Sequence, residues 1–392
     1  MNTPFFSVVI PTKNRPLYLK ESIQSVLWQD FKDYELIVSD NFNDERTLTV
    51  INEFKKKEEI KYYRTDKELN MIDHWEFATT KAHGRYVLVL PDRKLLYNGA
   101  LKKLHNLIIS QKEQFNCITY GVKCYDDINK QMLWGSETKK MCVFDSKHLI
   151  KNFLSKNYFD SDSLDIYFPK SLNSCYKNSF ATGIRKKIGN YFNNKGVTSP
   201  DYSSFFINTL FNDTILFSGF PVLLSQGEHT SNGRNFGKGN IKNYMDTLGY
   251  INPYEFVPIK APFIYSLLIN DFLTIQKTTN KNDFTYHPVN YYFTNYFEYK
   301  KFKDDESGVN IAFMNEWSNA LKNEPDEIRT KVNIAISEFN NCNLNRQPKV
   351  KVSQLHLHFR DYLKNNYAHY SLINKIVKHR FDTGLSAAGF CI

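Results

Sequence analysis

FFSVVIPTKNRPLYLKESIQSVLWQDFKDYELIVSDN, residues 5–41, alternates the two periodicities from which layered α/β domains are built. Residues 5–12 are a β-branched and aromatic run closed by Pro11 and Thr12, and they read as a strand. Residues 17–29 place Leu19, Ile23, Val26 and Leu27 near helical spacing, and residues 34–40 return to a short apolar strand that ends on Ser39 and Asp40. The rhythm continues with a helix over 45–57, a strand over 60–64, a helix over 72–83 and a strand over 85–90. Such alternation predicts a largely parallel sheet with right-handed crossovers. Ligands of these sheets bind beyond the C-terminal ends of the strands. Those ends carry PTKNR (11–15), SDNFND (39–44) and PDRK (91–94), so polar groups collect where a ligand would sit.

What the ligand is not follows from an absence. No glycine precedes Gly84, so neither a G-x-G-x-x-G dinucleotide turn nor a phosphate loop can exist in the first four strands. Asp40, ending the second strand, suits a hydrogen bond to a ribose or a base edge, and equally an Asx-turn or a helix cap; Asp44 is the expected cap. The chain has 392 residues, 42% of them hydrophobic, enough for one large core or two moderate ones. Lys and Arg number 51 against 41 Asp and Glu, a net charge of +10 that favours anionic partners without choosing among them. No nucleic-acid partner is expected. The six cysteines show no C-x-x-C pair and read as reduced. With no leader-like N-terminus and no window near the roughly 20 apolar residues of a membrane span, the expected location is the cytoplasm, with peripheral contact at the inner face of the plasma membrane left open.

LVLPDRKLLYNGAL (88–101) starts as a buried strand and delivers Asp92, Arg93 and Lys94 to its end. Beyond about residue 115 the pattern loosens: 116–127, 131–135 and 139–145 read as antiparallel strands, 146–157 as a helix, and 214–225 as a strand. Ser199 and Asp201 precede an amphipathic helix, and Asp201 is a candidate N-cap for it. The glycine-rich loop 226–240 contains Glu228 and His229 and marks a domain boundary near residue 240. Residues 241–392 read as mainly helical, with helices over 261–277, 309–323, 326–340 and 357–381. Within the last, Tyr370, Ile373, Ile376 and Val377 oppose Lys375, Lys378, His379 and Arg380, a pattern that suits either an anionic membrane surface or packing into the domain.

The run I-P-T-x-N-R, a helix ending S-x-L-x-Q and a strand ending in an acidic turn resemble the opening of family 2 glycosyltransferases. These are GT-A enzymes that transfer sugars from nucleotide donors. The resemblance covers roughly residues 1–240 and implies a Rossmann-like GT-A domain there; the helical patterns of 241–392 make a helical accessory domain the economical reading of the rest. It implies a nucleotide pocket with Pro11, Thr12, Asn14 and Arg15 from the first turn and Asp40 for uracil or ribose. Asp73 falls near a further base or ribose contact of the family, and a helix N-cap explains it equally well.

Aligned on LLYNGAL, the family's acidic triplet falls on Asp92, Arg93 and Lys94. In the family a carboxylate there binds Mg²⁺ or Mn²⁺, which neutralises the diphosphate leaving group. Lys94 stands at that position, and an ammonium cannot coordinate a hard cation. Three readings stay open: Arg93 and Lys94 supply the positive charge themselves without a metal, the site is catalytically dead and the fold serves as a binding or scaffold module, or both basic side chains simply face solvent; if a Mg²⁺ or Mn²⁺ is still held, Asp92 is its ligand. The resemblance also places the catalytic base at the start of a later helix, where Asp201 is the match. Glu228 and His229 are secondary loop candidates for phosphates or a metal. The expected function is inverting transfer of a sugar, most simply from a UDP-sugar, to a hydroxyl of a bacterial surface polysaccharide or lipid-linked glycan precursor. The alternative is a non-catalytic nucleotide-sugar or glycan-binding subunit that partners an active transferase.

Overall fold

The computed structural model describes residues 3–42, 45–54, 59–111, 115–135, 140–155, 164–193, 195–227, 229, 252–301, 309–344, 384–388 and 390. Ten strands among them form one sheet, in the order β3-β2-β1-β4-β9-β6-β10-β5, with β7 on β6 and β8 on β10. β1 (Phe6–Thr12), β2 (Tyr34–Asp40), β3 (Ile60–Arg64) and β4 (Tyr86–Val89) are mutually parallel, as the βα rhythm requires. β9 (Ser174–Lys177) runs antiparallel between β4 and β6 (Cys117–Asp126), and β10 (Thr214–Ser225) lies parallel to β6. β7 (Gln131–Gly135), β8 (Cys142–Asp145) and β5 (Lys94–Leu96) complete the sheet in antiparallel pairings. The apolar run at 88–101 is therefore two strands, not one: the chain leaves β4, turns at 91–93, and starts β5 on Lys94.

Alternation along the strands builds a core on each face of the sheet. Val8, Ile10, Leu36, Val38 and Leu88 pack with Leu19, Ile23 and Val26 of α1 (Pro16–Leu27) on one side. Val9, Ile37, Val87 and Val89 pack on the other with α3 (Met71–Thr80), α5 (Ser146–Ser155) and α7 (Pro200–Phe211). Both β1 and β2 are buried along their whole length, which is why they read as continuous apolar runs. Gly84, before β4, is needed for the close approach: a Cβ there would lie 2.6 Å from the Ser7 amide nitrogen. α2 (Glu45–Glu53), α4 (Ala100–Ser110) and α6 (Asn178–Ile188) complete the helices of this region.

The C-terminal part is helical, as expected: α8 (Ile264–Thr279), α9 (Pro288–Lys301), α10 (Val309–Lys322), α11 (Asp326–Leu344) and the short α12 (Gly384–Ala387). α9, PVNYYFTNYFEYKK, gives no readable helical signal, because its aromatic, Asn and Thr residues are middling helix formers and it shows no polar face. Tertiary burial of Tyr291, Tyr292 and Phe293 supplies what propensity does not. α7 is buried almost all round, so the amphipathic expectation for it fails. The reason is that α8 covers its outer side, with the Phe206 and Phe272 rings 5.2 Å apart. The cores of the two parts are thus continuous. The expected boundary near 240 and the basic helix over 357–381 lie outside the described residues. Among the described residues no helix is long and apolar enough to cross a membrane.

Candidate active site

β1 is flanked by β2 on one side and β4 on the other, so the chain order reverses across it. The β1–β4 ladder stops at Val9↔Val89. Val9 O accepts from Leu90 N at 2.7 Å, whereas Thr12 O accepts from Asn41 N of the β2 side at 3.1 Å. Residues two apart face the same neighbour, so Pro11 turns its missing N–H toward β4, where no ladder partner is needed. The strands part there and leave a crevice at the switch point, the usual place for a ligand.

Asp92 fills the base of this crevice and is 2% exposed. Its Oδ2 accepts from Thr12 Oγ1 at 2.9 Å and from Lys13 N at 3.4 Å, and its Oδ1 lies 3.3 Å from Arg15 Nη1. Asn14, at φ 60°, makes the left-handed turn that carries Arg15 back over Asp92, a conformation Asn tolerates better than most residues. Burial pushes the Asp92 carboxyl pKa up, against the pull of Arg15, Thr12, Arg93 and the Lys13 amide. Behind the turn, Ser22 Oγ of α1 lies 2.9 Å from Asp92 O and 2.6 Å from Lys94 O.

The two basic residues do not face solvent as ordinary surface cations. Lys94 is buried, and its Nζ donates to Leu172 O at 3.3 Å. Arg93 Nη1 donates to Gln226 O at 3.1 Å and Gly227 O at 3.0 Å, clamping the chain as it leaves β10. Next to Leu172, Ser171 N donates to Ser204 Oγ at 2.9 Å, and Ser204 Oγ donates to Asp201 O at 2.7 Å. Lys94 and the Asp201 turn are therefore linked through one short loop.

Asp201 does not cap α7. Ser199, in extended conformation, holds that position and accepts from Tyr202 N at 3.4 Å, while Pro200 fixes the first helical residue. Asp201 sits inside the first turn with Ser199 Oγ donating to its carboxylate. Asp73 is likewise not a cap. Asn70 caps α3, accepting from Asp73 N at 2.9 Å and donating to Asp73 Oδ2 at 2.8 Å. Asp40 is fully buried opposite Thr12, accepts from Tyr62 OH at 2.9 Å, and lies ahead of the cap position of α2, which begins at Glu45, so it does not cap that helix. Asp44 and Glu228 lie outside the described residues.

His229 stands 3.8 Å from Asp127 Oδ1, and Asp127 also accepts from Gly227 N at 2.9 Å and Tyr18 OH at 2.6 Å. Gly227, at φ 61°, has no room for a Cβ, which would lie 2.7 Å from the Tyr18 ring. Sequence reasoning missed Tyr18, Ser22, Asp127 and His74. His74 is buried under the end of β2, 3.0 Å from Ser39 Oγ, and burial pulls its pKa down to about 4. A single His in a helix carries no motif, so no signal could have singled it out.

The residues here suit a divalent ion poorly. Asp92 is one carboxylate whose oxygens already serve Thr12, Lys13 and Arg15, with Arg93 and Lys94 following it, whereas Mg²⁺ or Mn²⁺ wants oxygen ligands without neighbouring cations. Among the described residues no three His, Cys, Asp or Glu side chains are gathered.

Residues 7–173 match the family model of glycosyl transferase family 2. The GalNAc(5)-diNAcBac-PP-undecaprenol beta-1,3-glucosyltransferase of Campylobacter jejuni subsp. jejuni is 35% identical over 103 residues, which is 26% of this chain. The match spans only 33% of that relative's length. An uncharacterized glycosyltransferase of Methanocaldococcus jannaschii is 25% identical over 216 residues, 54% of this chain and 67% of that protein. The crystal structure of S. aureus TarS 1-349 in complex with UDP-GlcNAc shares the fold, with TM-score 0.53 and 15% identity over 89% of this chain and 94% of that one. The matched residues 7–173 are those that build the parallel β1–β4 core and the switch point of this chain, so the part resembling glycosyl transferase family 2 is the part that carries the candidate site, on a GT-A fold.

Proposed function

We propose that this chain is an inverting glycosyltransferase that moves a sugar from a nucleoside-diphosphate donor, most simply a UDP-sugar, to a hydroxyl of a lipid-linked glycan precursor or surface polysaccharide. The observation that carries this is the linkage at the switch point: Asp92 held by the Thr12–Arg15 turn, with Lys94 joined through Leu172, Ser171 and Ser204 to the Asp201 turn. The nucleoside lies over Pro11, Thr12 and Asn14, with Asp40 and Asp73 toward the base and ribose. The diphosphate lies toward Arg93 and Lys94, with His229 beside it. The undecaprenol-linked substrate in the name of the Campylobacter relative favours a lipid-linked acceptor. Such an acceptor places the enzyme at the inner face of the plasma membrane.

Asp201 takes the proton of the acceptor hydroxyl as its oxygen bonds to the anomeric carbon and the bond from that carbon to the diphosphate oxygen breaks. The electron pair leaves with the nucleoside diphosphate, and the Arg93 and Lys94 cations stabilise the growing charge without a metal. The test is release of nucleoside diphosphate from a panel of nucleotide sugars, with and without EDTA. Nucleotide binding with no release under any condition sinks the enzymatic reading and favours a non-catalytic binding subunit.

A further inference from the structure

Asp271, in the middle of α8, is fully buried, and no cation among the described residues is recorded against it. Its carboxylate is instead filled by the segment that leads into α7. Thr198 N lies 2.9 Å from both Asp271 Oδ1 and Oδ2, and Thr198 Oγ1 donates to Oδ2 at 2.9 Å. The Ser199 amide adds a further hydrogen bond, and Asp201 is close enough for the two carboxylates to repel. Burial pushes the Asp271 carboxyl pKa well up, against the pull of the Thr198 amide and hydroxyl and the Ser199 amide, and a buried carboxyl is costly unless such donors hold it. The neighbouring backbone follows the same line: Gly196, at φ 76°, runs close enough to α8 that a Cβ would touch Thr274 Cγ2 at 3.7 Å.

We propose that Asp271 is a positioning residue for Asp201, by which the C-terminal helical part sets the geometry of the reaction centre. The proposal rests on the reading of Asp201 as the base. Three amide and hydroxyl donors converging on one carboxylate hold Thr198 and Ser199 rigidly. Ser199 in turn caps α7 and donates through its Oγ to Asp201. The direction of Asp201 is therefore set from α8 through two residues. Asp271 touches neither donor nor acceptor. Its influence is on where the base points, and a displacement of about 1 Å at a reacting group costs on the order of 10² in rate.

The test uses the full chain and release of nucleoside diphosphate from the nucleotide sugar the wild type turns over, together with hydrogen exchange. Asp271→Asn keeps the size but replaces one acceptor with a donor facing Thr198. It should lower kcat ~10- to 100-fold, leave the donor KM within about twofold, and speed amide exchange over 198–204 while β1 and β4 stay protected. Ser266→Ala, on the same helix as Asp271 but away from the turn, removes a buried bond to Tyr291 OH of α9. It is the stability control, expected to lower Tm without changing kcat per folded molecule. Asp201→Asn and the double variant complete a cycle. If Asp271 acts through Asp201, the double variant is no slower than Asp201→Asn alone. Unchanged exchange over 198–204 in Asp271→Asn overturns the proposal. So do multiplying losses in the double variant, or a normal kcat for Asp271→Asn beside a collapsed Asp201→Asn. Normal turnover by Asp201→Asn fails the base reading instead, and the exchange data then still judge whether Asp271 holds the turn.

Discussion

Arg15 Nη1 stands 3.3 Å from Asp92 Oδ1, an ion pair made across the gap where β1 and β4 part. Asp92 is almost wholly buried and Arg15 partly so, so the pair is far less screened than a surface bridge. Replacing Asp92 by Asn leaves Arg15 without its charge partner and frees the 13–15 turn. Nucleotide affinity should fall by roughly tenfold, about 1.4 kcal/mol, with a smaller effect on turnover of bound donor. Calorimetric titration with UDP checks it, and an unchanged Kd removes Asp92 from the donor pocket.

Asp40→Ala should weaken nucleotide binding by on the order of 1–3 kcal/mol through lost hydrogen bonds to a buried partner. Tyr62 OH donates to Asp40 at 2.9 Å, so Tyr62→Phe is the companion variant. If Tyr62→Phe reproduces the whole loss, Asp40 acts by holding Tyr62 and not by meeting the nucleoside.

Because Ser199 and not Asp201 caps α7, the two roles the sequence left entangled can be separated. Ser199→Ala should cost about 1 kcal/mol of stability. Asp201→Asn keeps shape and helix start but cannot accept a proton, so turnover should drop by ~10² to 10⁴ with little change in Tm or donor affinity. A fall in Tm with normal turnover per folded molecule leaves Asp201 a purely structural residue.

His74 links stability to pH. Its folded pKa of about 4 lies below the ordinary 6.5 because it is buried, so between those values the unfolded chain binds a proton that the folded chain refuses. This contribution is present above 6.5 and is lost as pH falls toward 4. From pH 7 to pH 5 it amounts to about 2 kcal/mol. Urea unfolding at the two pH values should show that loss in the wild type and a flatter response in His74→Gln; equal slopes dismiss His74 as its source.

The parallel half of the sheet was legible because β1, β2 and β4 are buried on both faces and so read as continuous apolar runs, with the half-exposed β3 at the edge. Asp92, Arg93 and Lys94 were legible for the same reason: charges at the end of an apolar strand stand out. What escaped was set by long-range contact. α9 folds because Tyr291 and Tyr292 find burial, not because its residues favour a helix. Ser22 bridges Asp92 and Lys94 from far along the chain, and Asp271 reaches Thr198 from another helix. Each is a single polar residue on a helix, and its partner has no sequence spacing to reveal it. The capping alternative for Asp73 and Asp201 falls because Asn70 and Ser199, equally good caps, stand just ahead of them.

Arg93 and Lys94 carry the remaining prediction. If they replace a metal, they stabilise the negative charge that grows on the diphosphate as the glycosidic bond breaks, a role often worth several kcal/mol of barrier. Activity should then survive EDTA, and Lys94→Ala and Arg93→Ala should each slow turnover by ~10² or more. Each side chain also has a structural task, Lys94 on Leu172 O and Arg93 on Gln226 O and Gly227 O. Lost turnover alone would therefore be ambiguous. Arg93→Lys resolves it: it keeps the charge but loses the forked donor that grips the chain after β10, so partial recovery over Arg93→Ala is the electrostatic share. No recovery, with exchange raised at 226–227, assigns Arg93 to holding that chain alone. Activity abolished by EDTA and restored by Mn²⁺ means instead that Asp92 ligates an ion, which requires Arg15 to swing away from it; the 3.3 Å pair should then break on loading, and Arg15→Ala should tighten Mn²⁺ binding.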